Sequence, residues 1–345
     1  DIGVAIQEED GAGAIAGQLG LRGEKDEQGR LKVLTGKEIA TLDDEQLREA
    51  AETITVFARV APEQKLRLVR ALQARGHVVA MTGDGVNDAP ALKQANIGIA
   101  MGITGTEVAK EAAAMVLTDD NFASIEAAIE EGRCVFDNIT KFLVWALPAN
   151  AGIGLVIMLS VLASVPLPIL PAQILWINMT TAGALGLVLA MEPREPGIMQ
   201  RAPRHPNAPI LSRRLIGRIL LASVLILLGA FGIFHWETTQ GSTLEVARTA
   251  AVNVIVLIQL FYLLNCRSLT RTIFSIGFLS NRWLLAGIGL MLTMQLLFTY
   301  APPLQSIFRT SGIGLLQWGV ALAAGLVAFL VVEAEKHLGK AGEKP

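Results

Sequence analysis

The sequence predicts an α/β domain on a doubly wound parallel sheet over residues 1–133, then an all-α bundle of six transmembrane helices over 134–335 and a short tail, 336–345. Three observations carry this reading. Hydrophobic residues make up 52% of the chain and charged residues only 17%, with a mean hydropathy of +0.48, a balance typical of membrane proteins. Charge crowds into residues 1–133 and thereafter retreats to short intervals between apolar runs. Within the charged part, β-branched runs alternate with helix-compatible segments, as in strands joined by crossover helices.

The elements follow in order. TVFARV reads as a strand and leads into a helix that starts near Lys65; taken alone, Lys65 is a surface lysine, but in this fold it can reach a phosphate. GHVVAMT (76–82) is a strand that ends at a Gly-Asp-Gly turn, and a helix can begin after Ala89. A strand at 97–100, a helical segment at 107–114 and a strand at 115–118 complete the alternation.

The turn lies in MTGDGVNDAPAL (81–92), which places Asp84 and Asp88 at the carboxyl end of a strand, where open α/β sheets collect ligands. Two acids so placed suit Mg²⁺, a hard ion that takes one or two carboxylates together with water and phosphate oxygens. The adjacent glycines let the backbone approach a phosphate. A solvated loop would carry the same residue types, but the whole string is too specific for that.

Six runs near 139–163, 169–190, 214–235, 247–266, 283–301 and 314–333 approach the roughly 20 residues that a spanning helix needs. If residues 1–133 are cytosolic, the intervals on that side hold Arg194, Arg201, Arg204, Arg213, Arg214, Arg267, Arg271, Arg282, Lys336, Lys340 and Lys344, and the opposite side holds Arg309 alone. That asymmetry is the positive-inside signature, and topology is all these cations need signify.

The first span carries Pro148, Asn150, Gly152 and Gly154; the second carries Asn178, Thr180 and Thr181; the fourth carries Gln259. A proline frees a carbonyl one turn upstream, and the Asn amide adds a second oxygen beside it. Singly, such residues can stitch helices together. Three clusters in one bundle point to a shared polar pocket, one without a carboxylate in any apolar core.

Cys134 and Cys266 fit neither a disulfide framework nor a metal spacing and read as packing residues. A net charge of −2 gives no reason to expect nucleic acid. DIGVAIQEED lacks a signal-peptide pattern and an initiating Met, so a piece of a longer protein is expected.

TGDGVNDAPALKQANIGIAMG (82–102) closely resembles the hinge segment of P-type cation-transporting ATPases of the haloacid-dehalogenase superfamily. FARVAPEQK (57–65), GTEVAKEAAAMVLTDDNFASIEAAIEEGR (105–133) and WINMTTAGALGL (176–187) extend the match, and AGAIAGQLG (12–20) is similar to a stretch after a second family motif. The six spans resemble the last six of the ten in the calcium-pump-like branch.

The resemblance implies that residues 1–133 are part of a Rossmann-like phosphorylation domain of the haloacid-dehalogenase type. It makes Asp84 the Mg²⁺ ligand, sets Asn87 and Asp88 to hold the phosphorylation site together, brings Lys65 to the phosphoryl group, and lays Thr82, Gly83 and Gly85 against the phosphates of ATP. It places Asn150, Asn178, Thr181 and Gln259 at the transported-cation site, for Ca²⁺ or a monovalent cation, and makes 124–147 a stalk between the two sites. It further implies a multi-pass protein in a bilayer, a bacterial plasma membrane, with an N-terminal portion of the pump as partner.

The departures are specific. No D-K-T-G-T occurs, so the phosphorylated aspartate is not in this chain, and Ile153, Ala182 and Gln259 stand where calcium-pump-like members carry carboxylates. The sequence therefore leaves open a non-catalytic remnant that associates with or regulates an intact pump, and a membrane-tethered phosphatase of the same superfamily.

Overall fold

A computed structural model describes residues 4–6, 12, 16, 17, 20–25, 29–205, 207–277 and 280–342. Most of DIGVAIQEED and AGAIAGQLG, and the last three residues of the tail, lie outside the described residues. The chain divides into two units, Asp1–Ile129 and Glu130–Pro345.

In the first unit, β1 (Val4–Ile6), β2 (Val33–Thr35) and β3 (Val56–Ala58) form a parallel sheet in the order β1-β3-β2, with Val56 in register with both Val4 and Val33. Between β2 and β3 run α1 (Gly36–Thr41) and α2 (Asp44–Thr53), each opened by a capping box: Thr35 with Glu38, and Asp43 with Gln46. The helix α3 (Pro62–Ala74) starts on a proline, whose missing N–H costs nothing in a first turn. Ile39, Leu47, Ile54, Phe57, Leu68 and Ala71 form the core beneath.

The second sheet has the order β4-β5-β6 from β4 (Ala80–Gly83), β5 (Ile97–Met101) and β6 (Met115–Leu117), all parallel. The helices α4 (Ala89–Gln94) and α5 (Glu107–Ala112) are its crossovers, and Leu92, Ala100 and Ala109 its buried core. The expected alternation is present, but the strands pair as two sheets of three. The strand expected from Gly76 begins only at Ala80, because Val78 is 58% exposed and the Val79 N–H is taken by the side chain of Asn96.

The six expected spans are α6 (Phe122–Leu162), α7 (Pro171–Ala190), α8 (Arg213–Thr239), α9 (Leu244–Cys266), α10 (Arg282–Tyr300) and α11 (Leu315–Gly342). The helix α9 is the axis of its unit, with 94% of its most apolar window buried, against 28% for α11. Large apolar side chains such as Leu220, Leu228, Leu316 and Leu330 stay exposed on the outer spans, as a lipid-facing surface requires.

Two expectations change. The last helix continues to Gly342, so Lys336, expected to begin a tail, is buried on α11 and donates to the Asn265 carbonyl at 2.7 Å and to Glu333 at 2.9 Å. The cations at this end also do more than set topology. Arg267, 1% exposed, donates to both oxygens of Glu192, at 2.8 to 3.1 Å, and Glu192 also accepts from Asn281, the N-cap of α10. Lys141 pairs with Glu195 at 3.2 Å, and Arg218 with Glu335 at 2.6 Å.

Arg267→Met should therefore leave Glu192 as an uncompensated buried charge and cost about 3–5 kcal/mol, read by reversible unfolding in detergent, whereas pairing it with Glu192→Gln should recover most of that loss.

Candidate functional site

The strand-end turn is built on Asp88. The chain leaves β4 at Gly83, and a Cβ there would sit 2.5 Å from the Asp88 Cβ, so only glycine lets the strand pass this side chain. Asp88 is 6% exposed. Its Oδ2 accepts the N–H groups of Asp84 at 3.3 Å and Gly85 at 3.2 Å, and its Oδ1 accepts from Lys65 Nζ at 2.8 Å. Burial pushes the carboxyl up, but the Lys65 hydrogen bond and charge, with the two backbone donors, outweigh it and hold Asp88 below the usual carboxylate range.

Asp84 is exposed, and its side chain bonds no described residue; its backbone is held on both sides, the N–H by Asp88 and the carbonyl by the Thr106 N–H at 2.8 Å. Asn87 is also exposed. Among the described residues no group of three His, Cys, Asp or Glu side chains gathers, and at this turn the carboxylate left without a described partner is that of Asp84. That donor set fits Mg²⁺, which binds through one or two carboxylates and takes its other oxygens from phosphate and water. Lys65, expected against a phosphate, is committed here to Asp88.

Asp120 was not singled out from the sequence. Its carboxylate accepts the N–H groups of Gly102 at 2.6 Å, Ile103 at 3.0 Å and Thr104 at 2.8 Å, and the Thr104 hydroxyl at 2.8 Å. It thereby clamps the loop after β5, whose Thr106 leans on Asp84. Those donors outweigh desolvation and bring its pKa down to about 2. Only the Asp-Asp-Asn sequence hinted at a turn; the partners come from a loop sixteen to eighteen residues earlier.

In the membrane unit, Pro148 removes the donor that would have met the Val144 carbonyl. That oxygen, expected to face a pocket, instead accepts the Tyr262 hydroxyl of α9 at 3.1 Å. One residue on, the Trp145 indole N–H donates to the Gln259 carbonyl at 3.0 Å, so α6 is pinned to α9 twice.

The four expected cation-site residues lie in different surroundings. Asn150 is exposed and donates to the Ala146 carbonyl at 3.3 Å; Asn178 is half-buried, with no side-chain hydrogen bond to a described residue. Thr181 is buried, and its hydroxyl donates to the Ile177 carbonyl at 2.7 Å, which leaves its oxygen lone pairs free. Gln259 is 1% exposed, and neither of its amide atoms has a partner. A polar group buried in that state costs about 1–3 kcal/mol, so it needs an explanation. Just after Thr181, α7 runs as a π-helix over Ala182–Gly186, a distortion frequent at functional sites and not legible in AGALG.

The sequence of the membrane unit matches the family model for the C-terminus of cation transporting ATPases over residues 166–338, and the first unit matches haloacid dehalogenase-like hydrolase models over 25–96 and 65–129. The chain is 54% identical over 334 residues to a probable cation-transporting ATPase F of Mycobacterium tuberculosis, covering 97% of this chain and 37% of that protein. It is 45% identical over 319 residues to the cation-transporting ATPase pma1 of a Synechocystis strain, 90% of this chain and 35% of the relative. A calcium-transporting ATPase of Bacillus subtilis is 42% identical over 300 residues, 86% of this chain and 33% of the relative. The chain belongs to the P-type cation-transporting ATPases, with a haloacid dehalogenase-like unit and a multi-pass membrane unit. It spans about a third of the length of these relatives.

The clamp at Asp120 has a pH signature. Its folded-state carboxyl titrates at about 2 rather than in the ordinary aspartate range, so the stability it lends is fully present above about pH 4 and lost as pH falls through about 2. Asp120→Asn should flatten that acid limb in circular-dichroism unfolding, with little effect at pH 7 on the mid-span residues.

Proposed function

We propose that this chain is the C-terminal part of a pump that couples ATP hydrolysis, through an aspartyl-phosphate, to cation transport across a bacterial plasma membrane. The observation that carries this reading is the division of labour at the turn. Asp88 is buried, charged and fully occupied in shaping the loop, which leaves Asp84 exposed at a strand end with an uncommitted carboxylate.

Asp84 would hold Mg²⁺, and the ion would neutralise phosphate charge as the phosphoryl group is transferred. Lys65 supplies fixed positive charge at the same turn, and Thr82, Gly83 and Gly85 supply the backbone beside it. Asn87 and Asp88 keep the turn in shape. Since the chain contains no D-K-T-G-T, the nucleophilic aspartate and most of the ATP contacts would come from an N-terminal portion.

The ion would be held by uncharged oxygens of Asn150, Asn178, Thr181 and Gln259. Neutral donors compensate a buried single charge better than a double one, which favours a monovalent cation or fewer divalent ions per cycle than in calcium pumps. The helix α6, 41 residues long, would carry the coupling as the stalk that the resemblance implies.

Incubated alone with labelled ATP, the chain should form no acid-stable, hydroxylamine-sensitive phosphoprotein, and finding one would overturn the assignment of the nucleophile elsewhere. In the full-length protein, Asp84→Ala should lower phosphoenzyme formation and turnover by about 100-fold or more, as loss of a transition-state charge partner does. Unchanged turnover and Mg²⁺ requirement would end the proposal. Transport by that protein should respond to Na⁺ or K⁺; two Ca²⁺ moved per ATP would refute the preference.

A further inference from the structure

The helix α10 presents one buried face, Leu284, Gly287, Met291, Gln295, Phe298 and Thr299. Amid that apolar surface Gln295 is 0% exposed, and neither amide atom has a hydrogen-bond partner, the state also found at Gln259. We propose that Gln295, on the fifth span, is a further ligand of the transported cation, its amide oxygen acting in the same layer as Gln259. The inference rests on the reading of the spans as an ion-transport bundle and adds a residue to it.

Three contacts set the depth of Gln295. At one end, Asn281, the N-cap of α10, and Arg267, which follows α9, share Glu192, so the two helices run antiparallel. Farther along, Asn253 of α9 donates to the Thr299 hydroxyl of α10 at 3.2 Å. Gln259 lies six residues beyond Asn253 and Gln295 four residues before Thr299, in the same direction, so at 1.5 Å per residue their Cα atoms differ in depth by only about 3 Å. From the third side, Trp176 of α7 stacks on Phe298 with ring centroids 5.3 Å apart. Asn178 and Thr181, two and five residues past Trp176, therefore bracket the level of Gln295, three residues from Phe298.

The approach of α10 to α7 is close where the ion layer is distorted: a Cβ on Gly287 would lie 2.6 Å from the Ala184 carbonyl, inside the π-helical stretch. The Asn253 Oδ1 is likewise buried without a partner. Three carboxamide oxygens, those of Asn253 and Gln259 on α9 and Gln295 on α10, thus stand unsatisfied with no carboxylate among them, a donor set that suits a dehydrated alkali cation. Amides that merely stitched helices together would spend these atoms on neighbouring groups, as Asn253 spends its N–H on Thr299.

The test is equilibrium binding of ²²Na⁺, ⁸⁶Rb⁺ and ⁴⁵Ca²⁺ to the full-length protein in lipid nanodiscs, with thermal unfolding as a control. Gln295→Leu and Gln295→Met should each weaken binding of an alkali cation tenfold or more, and Gln295→Glu should shift the preference towards Ca²⁺, while the unfolding temperature holds or rises. Gln259→Leu should weaken binding alike. Binding that Gln259→Leu weakens but both apolar Gln295 variants leave within twofold would overturn this inference and spare the proposed function. No saturable binding by the unaltered protein would overturn both.

Discussion

Neither lipid nor a packed interior offers water to a buried polar atom, so each must find a protein partner or bear the cost of having none. The architecture follows that constraint. Asp88 can be buried at the strand-end turn because Lys65 and two backbone N–H groups surround it, and its hold on the loop is what leaves Asp84 outside. Glu192 can be buried between three helices because Arg267 meets both of its oxygens and Asn281 one of them. The Val144 carbonyl, orphaned by Pro148, is met by Tyr262. Against so many satisfied groups, the idle amides of Gln259 and Gln295 stand out.

The two units use charge in opposite ways. In the first, a full carboxylate is stabilised by adjacent donors and its neighbour left free, an arrangement that can meet the charge of a metal and a phosphate. In the second, the buried ion pairs gather at one end of the spans, where they tie helices together, Glu237 and Arg248 are held by neutral partners towards the other, and the described mid-bundle polar residues are amides and hydroxyls. The arginines and Lys336 at that end are therefore both a topological signal and a clamp.

What the sequence made legible was mostly local. The turn of residues 81–92, the parallel strands around it and the six spans were each expected from contiguous runs, since strand, turn and span signals are written in neighbouring residues. Long-range pairings were not. Arg267 and Glu192 are 75 residues apart, and nothing in either neighbourhood names the other. Gln295 sits in LMLTMQLLFTY as a lone amide in an apolar run, a residue that a spanning helix tolerates without comment; its significance comes from what it fails to touch. The strand expected from Gly76 started late because β propensity in HVV does not determine whether a neighbouring strand pairs with it.

The π-helical stretch of α7 carries a mechanical implication. Wound five residues back rather than four, Ala182–Gly186 stores roughly one surplus residue, and Gly183 and Gly186 keep its side-chain bulk small. Returning that slack to an ordinary α-turn would swivel the Leu187–Ala190 end of the span by about 100° relative to the Asn178–Thr181 side.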